Sequence, residues 1–261
     1  MEAAFFDLDK TVIAKASMLA FGRKFFKEGM ISRRSLLRSA YAQLVYRYLG
    51  ANEKRLLKLR KSVLSLTAGW DQSLVRKIIS EGLIEIVEPL LYKEAIDLIE
   101  EHRSAGRLVY LVSAAPYEIV APLADHLGVD GALASRPTIN EQGLYTGEMD
   151  FYNYGPYKVS AMEELAQENG IDLNESYAYS DSYTDIPMLE TVGHPYAVNP
   201  DKVLAKISRE RDWPTLEFKD RVLLSDPSRR ARPFLVALAA TTGVAIAATA
   251  GGIAAKKRHS V

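Results

Sequence analysis

Cysteine is missing altogether from the 261 residues. Its absence excludes disulfides, thiolate zinc sites and a cysteine nucleophile, and it is compatible with a reducing compartment. Histidine is scarce: His102, His126, His194 and His259 are scattered, with no pair at ligand spacing. Charge of either sign is not in excess either. The formal net charge is zero, so total charge selects no partner. No aromatic-basic platform or groove-reading motif occurs, which argues against nucleic acid. No basic segment followed by an apolar run precedes Asp7, so no signal peptide is expected.

What is present begins almost at the first residue. Ala3-Ala4-Phe5-Phe6 is a short apolar run that reads as a buried strand, and it ends in Asp7-Leu8-Asp9-Lys10-Thr11. At the carboxyl end of a strand in an open α/β sheet, such groups face the crevice where ligands bind. Two carboxylates this close repel each other, and a divalent cation removes that penalty.

From about residue 15 to 82 apolar residues recur at helical spacing, as in Leu36, Leu37, Ala40, Tyr41, Leu44 and Tyr48. This predicts an all-helical insert, residues 14–85, set over the crevice as a cap. Between Lys15 and Glu81 fifteen basic side chains face four acidic ones. That excess suits an anionic substrate or an anionic membrane surface as much as a solvated helix face. Residues 1–13 and 86–222 then form the core. A helix is predicted near Tyr92–Ser104, and a strand from Arg107 to Val112 with Ser113 at its end. A helix over Tyr117–Leu127, a hairpin within Ser135–Phe151 and a helix from Lys158 follow. Strands at Tyr177–Ser180 and His194–Val198 complete the pattern. Strands alternating with helices imply an α/β fold with a mostly parallel sheet.

Residues 223–233 read as a basic linker. Phe234 to Ala255 is 22 residues long and uncharged, flanked by Lys256-Lys257-Arg258. That length can cross a bilayer as a helix. A C-terminal apolar helix anchoring a cytoplasmic catalytic part to the inner or cell membrane is therefore expected. Gly243, Ala247 and Gly251 offer a small-residue face for self-association.

A parallel sheet gathers strand carboxyl ends at one edge. Asp7, Asp9, Thr11, Ser113, Lys158, Asp181 and Asp185 are thereby expected in one place. Acids, hydroxyls and an amine suit phosphoryl transfer from a monoester. A carboxylate can attack phosphorus, a second can serve the leaving oxygen and then water, and the hydroxyls and lysine can hold the transferring oxygens. Mg2+ takes one or two carboxylates together with phosphate and water. Thr11 is assigned to phosphate, with a turn cap as the other reading. Lys10 reads as a solvated side chain, and Tyr117 and Tyr183 as packing or pocket-lining.

FDLDKT, Leu111-Val112-Ser113, Lys158 and Ser180-Asp181-x-x-x-Asp185, in that order, resemble the haloacid dehalogenase superfamily. The helical insert between the first two motifs is similar to that of its phosphoserine-phosphatase-like branch. The resemblance implies a Rossmann-like core with a mobile helical cap. It implies Asp7 as nucleophile and Asp9 as general acid/base. Mg2+ would be held by Asp7, the Asp9 carbonyl and Asp181, with Asp185 in the metal shell, and phosphate by Ser113 and Lys158. Three departures concern the substrate. Ala16 stands nine residues after Asp7, where that branch has a glutamate. Ala114-Ala115-Pro116 replaces a glycine-rich turn, and Thr184 replaces an asparagine. The expected function is a Mg2+-dependent phosphomonoester hydrolase acting on a small phosphorylated metabolite or a lipid-related phosphate. Phosphoserine phosphatase proper, or a non-enzymatic aspartate phospho-acceptor module, are the alternatives. Asp9 and the cap weigh against the acceptor module.

Overall fold

The computed structural model describes residues 1–31 and 64–222. The apolar stretch 234–255, its linker and the middle of the insert lie outside the described residues. Among the described residues no helix is long and apolar enough to cross a membrane.

Strand β1 (Ala3–Asp7) is central and buried at all five positions. It pairs in parallel with β2 (Leu108–Pro116) on one side and β5 (Tyr177–Ser180) on the other. β3 (Gly131–Ile139) pairs in parallel with β2, and β4 (Tyr145–Phe151) closes an antiparallel hairpin with β3. β6 (His194–Val198) and β7 (Thr215–Leu216) extend the other edge, giving the order β4-β3-β2-β1-β5-β6-β7. The chain reverses direction across the sheet at β1, the topological switch point where open α/β sheets bind ligands. The hairpin, the parallel core strands and the α/β class are as the sequence predicts.

Alternation along β1 builds two cores. Phe6 and Ala4 join a cluster with Leu111, Ile119 and Leu123. Ala3 and Phe5 join another with Met162, Ala166 and Met188. The first is covered by α3 (Lys93–Ser104), which buries Ala95 and Ile99, and by α4 (Tyr117–Leu127). The second is covered by α5 (Pro156–Asn169) and α6 (Ile186–Glu190). α7 (Lys202–Glu210) adds Leu204 to it. Trp213 packs against this second cluster, with the Arg211 guanidinium 5.0 Å from its ring centroid.

The insert contributes α1 (Ser17–Lys27), a helical turn at 64–67 and α2 (Gln72–Gly82) to the described residues. Between them runs a strand-like contact that periodicity did not reveal. Gly69 N–H donates to Tyr145 O (2.8 Å), Tyr145 N–H to Trp70 O (2.9 Å) and Gln72 N–H to Gly143 O (3.0 Å). Gln72 Nε2 also donates to Glu118 Oε1 at 2.9 Å. The insert is thus joined to the hairpin as well as through its two chain connections. Trp70 packs on Phe25, with ring centroids 5.5 Å apart.

Candidate active site

After Asp7 the backbone folds back on itself. Val12 N–H and Ile13 N–H both donate to Leu8 O (3.0 Å each), and Lys10 N–H donates to Ile13 O. Lys10 takes φ +69°, a left-handed conformation that few non-glycine residues adopt. Asp9 is turned inward by this fold, and its Oδ1 accepts from Ser17 N–H at 2.8 Å at the start of α1. Burial raises the Asp9 carboxyl, against the hydrogen bond from Ser17.

Asp7 lies on the Phe5 face of β1, the face covered by α5. Gly155 (φ +55°) and Pro156 start that helix, so Lys158 falls in its first turn and points at β1. Its Nζ donates to Asp7 Oδ1 and to Asp185 Oδ2, each at 2.7 Å. All three side chains are buried. Asp185 Oδ2 also accepts from Ser180 Oγ at 2.7 Å. Burial opposes the ammonium of Lys158, but Asp185 and Asp7 together raise its pKa, so it stays charged.

Burial pushes the Asp7 carboxyl up to about 8, opposed by Lys158 and reinforced by Asp185 and Asp181. Asp181, just past β5, is pushed up to about 6, again by burial first. Lys10 Nζ lies 3.8 Å from Asp181 Oδ2. Two buried carboxylates, each raised by burial first and also by Asp185, make a place that favours added positive charge. A hard divalent cation fits that donor set. Among the described residues no three acidic or imidazole groups are arranged as a complete cation cage. Asp7 and Asp185 each give one oxygen to Lys158, while Asp181 makes its ion pair with the exposed Lys10.

Ser113 follows directly after the Asp7↔Val112 pair in the register of β1 and β2. It is buried, and its Oγ accepts from Ala115 N–H at 3.1 Å. β2 runs on to Pro116, so Ser113 stands inside the strand and not at its end as the sequence suggested. The structure therefore links Asp7, Lys158 and Asp185 by hydrogen bonds, with Asp181 directly after Ser180, which bonds Asp185, and Asp9 and Ser113 on adjoining backbone. Thr11 is fully enclosed, and its hydroxyl has no hydrogen-bond partner among the described residues. No hydrogen bond ties it to the others.

Two groups escaped the sequence reading. Asp201 accepts from Tyr183 N–H at 2.9 Å and donates its own N–H to Asp181 O at 2.8 Å, which clamps the acidic turn. Lys10, read as solvated, is exposed yet reaches Asp181. Neither contact has a local signal, because each joins segments far apart in the chain.

The family profile described as haloacid dehalogenase-like hydrolase matches residues 4–190. The chain is 47% identical over 253 residues to the inhibition of morphological differentiation protein of Streptomyces azureus, covering 95% of this chain and 91% of that one. It is 48% identical over 250 residues to a protein named probable phosphatase from Mycobacterium tuberculosis, covering 96% and 86%. A solved phosphoserine phosphatase, described as a phospho-aspartyl intermediate analogue, superimposes with TM-score 0.58 at 21% identity, covering 89% and 98%.

Proposed function

From the premise that this chain belongs to the haloacid dehalogenase-like hydrolase family and is a phosphatase of it, we propose that it hydrolyses phosphomonoesters with Mg2+ through an aspartyl-phosphate. The observation that carries this reading is the buried Asp7–Lys158–Asp185 chain of 2.7 Å contacts beside Asp181.

Asp7 attacks phosphorus, and the bond to the leaving oxygen breaks. Burial keeps Asp9 protonated to a higher pH than an exposed aspartate, and its proton passes to that oxygen. Asp9 then takes a proton from water as the water attacks the phospho-aspartate, releasing inorganic phosphate and restoring Asp7. Ser113 Oγ accepts from Ala115 N–H, which leaves its own hydrogen to donate to a phosphoryl oxygen. Lys158 supplies a charge beside the same oxygens. Mg2+ would be held by Asp7, the Asp9 carbonyl and Asp181, and would neutralise the phosphoryl oxygens as the carboxylate approaches. Asp185 supports that shell by holding Lys158. Thr11 either binds phosphate or caps the turn.

The substrate is a small phosphorylated metabolite or a lipid-related phosphate. The second rests on the uncharged stretch 234–255 and the basic insert, and with it go membrane anchoring and self-association of the tail. Phosphate release from a generic aryl phosphate with Mg2+ tests the chemistry. Asp7→Asn should lower turnover by at least about a thousandfold; an Asp7→Asn protein of wild-type rate rules out the covalent route. Membrane fractionation of the full chain tests the anchor.

A further inference from the structure

The strand that carries Ser113 breaks its register just after it. Ser113 pairs with Ala134, but the next pair is Pro116 with Ser135, so Ala114 and Ala115 bulge out of the ladder. A bulge leaves backbone groups without their sheet partners, and here Ser113 and Ala115 are buried and Ala114 is half-buried. Two side chains fill the gap. Ser135 Oγ donates to Ala114 O at 2.8 Å. Asn153 Nδ2 donates to Ser113 O at 3.2 Å and to Leu133 O at 2.7 Å. Asn153 N–H donates to Ser135 Oγ at 3.1 Å, joining the two. Both residues have no exposed surface.

The bulge sets the position of Ser113 Oγ, because that oxygen accepts from Ala115 N–H within the bulge. Asn153 Oδ1 is buried without a hydrogen-bond partner among the described residues. An apolar side chain would avoid that cost, so the residue type follows from the two donors of its amide. The bulge also falls on Ala114-Ala115-Pro116, which contains no glycine to relax the turn. The backbone there is held from outside, by side chains from β3 and from the loop before α5.

We propose that Asn153, together with Ser135, is a positioning residue for phosphate binding that acts through the backbone of Ser113. This rests on the reading of Ser113 as a phosphate-binding hydroxyl.

The test is a double-mutant cycle on the full chain, read by calorimetric binding of inorganic phosphate in Mg2+ and by thermal melting. Ser113→Ala should weaken phosphate binding roughly tenfold, and Asn153→Ala and Ser135→Ala each roughly fivefold, as expected for one lost or misaligned hydrogen bond. In the Ser113→Ala background, both changes should leave the affinity within about twofold of Ser113→Ala alone, while their lowering of Tm persists. A side chain with only a packing role moves melting and affinity without this dependence on Ser113. Factors that multiply in the double variants overturn the proposal. So do Asn153→Ala and Ser135→Ala proteins that bind phosphate like wild type. If Asn153→Ala does not fold, Ser135→Ala carries the same cycle. Wild-type phosphate affinity in Ser113→Ala removes the reading of Ser113 itself, and the proposal with it.

Discussion

Lys158 places a buried positive charge between Asp7 and Asp185. Removing one partner of a buried ion pair is costly, because the other charges stay behind without compensation. Lys158→Met should lower stability by about 3–5 kcal/mol near neutral pH, measured by denaturant unfolding in EDTA. A loss under about 1 kcal/mol would mean that the charge of Lys158 does not hold this part of the fold. The acids and the lysine were legible in the sequence because each sits in a short motif next to a strand or helix start. Asn153, Ser135 and Asp201 were not. Their contacts are side chain to backbone across 18 to 40 residues, and nothing in the local pattern marks which carbonyl a buried amide will meet.

At the level of elements, Asp7 stands on the Phe5 face of β1, a placement the sequence reading does not specify, whereas 3.6 periodicity located α3, α4 and α5 to within a residue or two. Short elements were invisible for the same reason. β7 has two residues and α6 five, too few to show a period. The contact of residues 69–72 with the hairpin was hidden as well, since it uses backbone groups rather than side-chain pattern. Gly193 shows the same limit. It joins the turn Leu173–Glu175 to the start of β6, donating its N–H to Leu173 O at 3.0 Å. A Cβ there would lie 1.6 Å from Asn174 O, a backbone atom that cannot swing away. Gly193→Ala should therefore cost about 2–4 kcal/mol while leaving kcat of the folded fraction unchanged. Urea unfolding with a parallel assay checks both.

Across the whole molecule, the buried acids couple folding to pH. A carboxyl whose folded pKa exceeds its unfolded value of about 4 contributes stability that is full below that value and is lost as pH rises through the folded one. For Asp181 at about 6 and Asp7 at about 8 the loss runs from pH 4 to 8. A bound cation reverses their preference. The rise in Tm produced by Mg2+ over EDTA should therefore grow from pH 5.5 to 8; a rise that does not change with pH would separate the ion from these acids. His102 works on the other side. Burial first, then the Arg107 charge, lower it to about 4, so its contribution is present above about 6.5 and is lost as pH falls through 4.

Trp70, whose carbonyl accepts from Tyr145 and whose ring rests on Phe25, and Trp213, on the second core, are the two tryptophans in the chain. One stands on the insert and the other on the catalytic core, so intrinsic fluorescence is already divided between them. With Trp213→Phe the emission follows the insert against the hairpin; with Trp70→Phe it follows the sheet. Ligand titrations can then be resolved by region without an added dye.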